Sequence, residues 1–166
     1  MVSAQEGVEI PFLDLWAGSG HADAAAEAFV HWDEDDPAEI PVECAKCHST
    51  PGHLDFLGVD GSAAGAVDQA APLGTTIECV ACHNDVTLTK TSVVMPSGIE
   101  ISGLGDEARC MECHQGRQST ASVDEAVAGL AADAVSEALN FLNIHYFAAG
   151  ATLYGAEAQG AYEYDG

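Results

Sequence analysis

Apolar and polar positions alternate with several different periods along this chain. Ser19-Gly20 precedes an alanine-rich run from Ala22 to Val30, and Asp23 lies where the first turn would be. A serine or glycine at the N-cap and an acid near the positive end of the dipole both favour a helix, so residues 19–31 read as one helix. Residues 6–17, with Pro11 and Trp16, read as an irregular or strand-like lead-in. Trp32-Asp33-Glu34-Asp35-Asp36-Pro37 ends the helix. Its acids lack the Gly-turn spacing of a calcium loop and read as a solvated turn.

Residues 58–74 are rich in Gly, Ala and Asp and read as loop. Between residues 85 and 101, the β-branched runs Val86-Thr87-Leu88-Thr89 and Thr91-Ser92-Val93-Val94 are separated from Ile99-Glu100-Ile101 by Pro96-Ser97-Gly98, which predicts a small hairpin. Ser122-Val123-Asp124-Glu125 has the form of a capping box, with Val123, Val127, Leu130 and Ala131 following at helical spacing. A second helix is predicted over 136–153, with Leu139, Leu142, His145 or Tyr146, and Ala149 on its apolar stripe. Tyr162-Glu163-Tyr164-Asp165-Gly166 alternates like a strand and stops on a hairpin-turn signal, so the chain reads as the N-terminal segment of a longer one. The fold class is mainly α with much irregular loop and minor β-hairpin content, in a single domain spanning 1–166.

Charge narrows the function classes. Twenty-seven acids against four Lys and Arg give a formal net charge of −23. Nucleic acid and anionic membrane surfaces both require clustered cations, so neither is a partner. Hydrophobic residues at 48% argue against a charge-driven disordered chain. No run reaches the length of a transmembrane segment, and Met1 to Ile10 has neither the basic start nor the apolar core of a signal peptide.

The six cysteines decide the chemistry. They form Cys44-Ala45-Lys46-Cys47-His48, Cys79-Val80-Ala81-Cys82-His83 and Cys110-Met111-Glu112-Cys113-His114. C-x-x-C-H is the attachment signature of a c-type haem. Two thiols separated by two residues reach the two vinyl groups on one porphyrin edge, and the adjacent histidine lies under the ring as proximal iron ligand. A four-cysteine zinc site would use two pairs and strand the third. A thioredoxin-like C-x-x-C occurs once, on a βαβ background that is missing here, and disulfides require no histidine. With seven histidines in 166 residues, one after each of three pairs arises by chance on the order of once in ten thousand. The cofactors read are three haem c groups.

Each iron then has a sixth position, and four histidines lie outside the motifs. His21, His31 and His145 are the predicted distal ligands, with His53 in reserve. His145 sits in the helix-like stretch Asn143-Ile144-His145-Tyr146-Phe147-Ala148-Ala149-Gly150-Ala151, whose small residues let a flat macrocycle approach. His21 and His31, ten residues apart on one helix, point to different sides and would serve different haems. His53 falls in Ser49-Thr50-Pro51-Gly52-His53, which reads as a turn. Among methionines only Met95 is placed to be axial, and Pro96 beside it more simply marks a turn. Bis-histidine, low-potential haems follow.

These motifs resemble those of multihaem c-type cytochromes. Cys110-Met111-Glu112-Cys113-His114-Gln115-Gly116-Arg117, Asn143-Ile144-His145-Tyr146-Phe147 and Ser19-Gly20-His21-Ala22-Asp23 are similar to segments of large bacterial multihaem cytochromes of respiratory and extracellular electron transfer. The resemblance spans residues 19–166. It implies a fold packed around haems in near-contact, and it implies export to the periplasm, cell surface or exterior. The missing signal sequence departs from that pattern.

Electron transfer is therefore the predicted function, and the chain is not read as an enzyme. About 55 residues per haem leave little polypeptide for a substrate pocket. Redox partner proteins or extracellular metal or mineral acceptors are the expected partners, steered by the acidic surface. A soluble carrier, a subunit of a larger complex and a homo-oligomer or filament subunit are all compatible with the sequence. The alternative is a multihaem reductase of a small nitrogen or sulfur oxyanion. That chemistry needs one open iron among basic groups, and only Lys46, Lys90, Arg109 and Arg117 are available.

Overall fold

Turns and side-chain caps interrupt nearly every apolar run of this chain, and its helices are correspondingly short. A computed structural model describes residues 12–131, 133–145 and 149–160. Short helices, loops and two small antiparallel sheets make up these residues, as the mainly α class with minor hairpin content requires. They pack into two compact units, one ending at Asn84 and the other beginning at Asp85. Among the described residues no helix is long and apolar enough to cross a membrane.

The first unit contains α1 (Leu13–Ala17), α2 (Glu27–Val30), β1 (Glu39–Ile40), α3 (Val42–His48), α4 (Thr50–Phe56), β2 (Ala71–Pro72) and α5 (Cys79–Cys82). Two expectations are corrected here. The lead-in is helical over Leu13–Ala17, with residues 6–11 outside the described region. The single helix over 19–31 is reduced to Glu27–Val30. In that longer helix the His21 carbonyl would accept the Ala25 N–H. Instead the Asp23 carboxylate takes the Ala25 N–H at 3.1 Å, and the His21 carbonyl accepts from Ile77 at 3.0 Å. A local Asx turn and a tertiary hydrogen bond thus remove the ladder that alanine propensity favours. β1 pairs with β2 through Glu39↔Pro72 and Ile40↔Ala71. Trp32, Ile40, Ala45 and Ala71 form one small core, and Phe29, Ile77 and Ala81 another.

The loop after α4, expected over 58–74, closes around a buried carboxylate. Asp55 accepts from the Ser62 hydroxyl at 2.9 Å and from the Asp68 N–H at 2.9 Å, while Gly65 donates to the Phe56 carbonyl at 2.8 Å.

The second unit contains a 3-10 turn (Thr87–Thr89), β3 (Ser92–Val94), β4 (Glu100–Ser102), α6 (Glu107–His114), α7 (Thr120–Ala126) and α8 (Ala149–Tyr154). The predicted hairpin is present, in the register Ser92↔Ser102, Val93↔Ile101 and Val94↔Glu100. Val86–Thr89 does not join it, because the Thr89 hydroxyl donates back to the Val86 carbonyl at 3.2 Å and holds a tight turn. Met95 is buried at the hairpin turn, where it packs with Val93, Ile101, Met111 and Ala158.

Ser119 is the N-cap of α7. Ser122, read from the sequence as the cap, instead accepts the Ser119 N–H at 3.2 Å from the third helical position. Of the helix expected over 136–153, only Ala149–Tyr154 is helical, and residues 146–148 lie outside the described region. Asn143 accepts the His145 N–H at 2.9 Å, and His145 has φ 87°, a left-handed conformation that no helix continues through. Leu139 and Phe141 remain exposed, so the stripe lacks the packing that sustains short helices. Residues 162–166 lie outside the described region.

The Asp68 N–H holds the Asp55 carboxyl below its ordinary value of 3.8. Burial opposes that shift, and the Ser62 hydroxyl and the Gln69 N–H add to it. A carboxylate depressed on folding contributes stability that is present above its unfolded value and lost as pH falls through the folded one. Asp55→Asn is therefore expected to unfold at lower urea at neutral pH. Its stability should also fall less steeply than that of the parent from about pH 5 to about pH 3. Parallel slopes for the two proteins would refute this role.

Candidate haem-attachment sites

Each C-x-x-C pair lies within a helix. Cys44 and Cys47 belong to α3, Cys79 and Cys82 begin and end α5, and Cys110 and Cys113 belong to α6. Residues i and i+3 share a helical face, so each pair presents two thiols about one turn apart. Cys79 and Cys110 are exposed and the other four are half-buried. The histidine closes the element each time. His48 and His114 are the last residues of α3 and α6, and His83 caps α5 with its N–H on the Cys79 carbonyl at 2.9 Å.

The first motif is the most tightly framed. α3 and α4 are separated by one extended residue, Ser49, which is fully buried. Its hydroxyl donates to the Ala45 carbonyl at 2.9 Å and accepts the Gly52 N–H at 3.0 Å, so one side chain closes α3 and caps α4. A Cβ at position 52 would stand 2.5 Å from the Ala45 carbonyl carbon, which only glycine avoids. Lys46 adds its ammonium over the Phe56 ring, 3.9 Å from the centroid. Thr50 then ties this pair to the second motif. Its hydroxyl donates to Thr76 at 2.7 Å and accepts the Glu78 N–H at 2.8 Å, immediately before Cys79.

Three imidazoles of this unit have a defined tautomer. His48 Nδ1 lies 2.8 Å from the Ala28 carbonyl oxygen and His53 Nδ1 lies 3.0 Å from that of Lys46. A carbonyl only accepts, so the proton is on Nδ1 and the lone pair of the neutral ring is on Nε2. His31 Nδ1 meets the Glu27 carboxylate at 2.9 Å in the same sense, on an exposed face. Partners of this kind set the tautomer and raise the basicity of metal-binding histidines.

The distal candidates are distributed unevenly. His21 is exposed and lies beside the second motif, because its carbonyl holds Ile77 and the Trp16 indole donates to the Ile77 carbonyl at 2.9 Å. His31 adjoins Trp32, whose ring contacts His48 of the first motif. His145 lies near the third motif, since the Arg117 N–H donates to the Ile144 carbonyl at 2.9 Å. His53 is not in a turn. It is 2% exposed within α4, whose start was legible as a serine N-cap followed by proline in the first turn. The helix that set His21 and His31 on opposite sides is absent, so that geometric argument lapses, although both residues remain candidates.

Sequence reasoning missed the neighbours that hold these groups: Ser49, Gly52, Trp32 and the Ala28 carbonyl. It also missed Lys90, whose ammonium pairs at 2.7 Å with the buried Glu112 carboxylate inside the third motif. The chain matches no protein-family model, no curated protein and no solved structure.

Gly52→Ala is expected to destabilise the first unit by about 1–3 kcal/mol, since a methyl group must enter filled space against backbone. Urea unfolding followed by circular dichroism measures the loss. A neutral result would mean that α3 and α4 do not approach as closely as the Ala45–Gly52 contact requires.

Proposed function

We propose that this chain is an electron-transfer protein carrying three covalently bound c-type haems, packed as in multihaem cytochromes. The observation that carries the reading is the threefold C-x-x-C-H motif, each copy with its thiols one turn apart on a helix that its histidine ends or caps. Haem iron alternates between ferric and ferrous states and so exchanges single electrons. The three thiol pairs hold the porphyrin edges, and His48, His83 and His114 are the proximal ligands. His21, His31 and His145 are the distal ligands, with His53 in reserve. The donor set supports this role: where a carbonyl fixes the proton on Nδ1, as at His48, the imidazole offers Nε2 to iron.

The acidic chain contributes the electrostatics. Net negative charge favours the ferric state and steers cationic or metal-bearing partners toward the surface, an attraction that salt weakens. Export is part of the reading, because haem is attached to such chains outside the cytoplasmic membrane.

Intact mass with a haem stain is expected to show three haem increments, and metal analysis three irons and no zinc. Stoichiometric zinc would reopen the metal-site reading. The ferric spectrum should be wholly low-spin and indifferent to cyanide or nitrite, whereas a binding response would favour the reductase. His145→Ala should convert one haem of three to high spin, and an unchanged spectrum would remove His145 from the ligand set.

A further inference from the structure

Trp32 stands in an acidic surface turn, yet it is 7% exposed and packs with Ile40, Ala45 and Ala71. Its indole meets the His48 ring edge-on, with centroids 5.2 Å apart and planes at 70°. Ala28, four residues earlier, supplies the carbonyl that accepts from His48 Nδ1. One short segment therefore touches the same imidazole at two points. The hydrogen bond fixes the direction of Nδ1 but leaves the ring able to turn about that line. An aromatic wall placed off the line opposes this rotation.

We infer that Trp32 is a positioning residue that sets the plane of the His48 imidazole, an assignment that rests on His48 being an iron ligand. The consequence is spectroscopic. In a low-spin ferric haem with two imidazole ligands, the EPR g-values depend on the angle between the two imidazole planes. Trp32 also meets the His31 ring, with centroids 5.0 Å apart, so loss of the indole should alter the haem of His48 and, where His31 serves another, that one too, but not all three. A tryptophan that merely fills the core would lower stability on replacement and leave those signals alone.

The test uses the haem-loaded chain, with intact mass establishing three covalent haems in each protein. In Trp32→Leu, the low-spin EPR signal of the His48 haem is expected to shift or broaden, joined by a second where His31 ligates another haem, while at least one signal superimposes on the parent. Trp32→Phe keeps a smaller aromatic edge and should shift the same signal less. If Trp32→Leu does not accumulate, the Phe variant decides: displacement of one or two signals, with at least one unchanged, supports the assignment. Three unchanged signals, or three that change together, overturn it while the haem reading stands. A parent protein without covalent haem would instead remove the reading on which the inference rests.

Discussion

The buried contact among Ala45, Ser49 and Gly52 is the constraint on which the first unit depends. Ser49 is fully buried, and its two hydrogen bonds join the end of α3 to the start of α4. Because position 52 has no side chain, α4 can lie directly against Ala45. That approach positions the first C-x-x-C-H motif and His53, and through Thr50 it anchors the strand of chain entering the second motif. The apolar cores of this unit are small, so contacts of this kind carry much of the specificity that a larger domain would draw from apolar burial.

Three of the four Lys and Arg side chains make contacts within the chain. Lys46 lies over Phe56 beside the first motif, Lys90 pairs with the buried Glu112 of the third, and Arg109 pairs with Asp106 one turn before Cys113. Arg117 is exposed, and twenty-seven acids against four Lys and Arg leave the chain strongly acidic overall. Net negative charge of this size acts outward as a field, and among the described residues Lys90 and Arg109 compensate it locally beside the third motif.

Backbone carbonyls provide the orientation of the imidazoles. Ala28 and Lys46 hold His48 and His53 by Nδ1, and neither acceptor has a sequence signature, because every residue carries a carbonyl. The hairpin at residues 92–102 was legible because β-branched runs flank a Pro-Ser-Gly turn, and the two-residue periodicity needs only a nearby partner. The long helices over 19–31 and 136–153 were not legible as breaks. Alanine propensity is a weak prior, and the competing bonds from the Ile77 N–H to the His21 carbonyl and from the His145 N–H to the Asn143 side chain depend on where other segments lie or on local capping.

Sequence alone determined the chemistry to be proposed. The identity and spacing of Cys-x-x-Cys-His, repeated three times, specify a donor set whatever the surrounding fold, because five consecutive residues cannot move far apart. Charge followed from summing residues, and the mainly α class from capping residues and apolar spacing along the chain. Only the tertiary structure decided which parts of the apolar runs became helix and which carbonyl fixes each histidine proton. It also decided that Trp32 meets His48 across sixteen residues of chain. Those outcomes depend on contacts between distant segments, where one hydrogen bond or one missing Cβ outweighs local propensity.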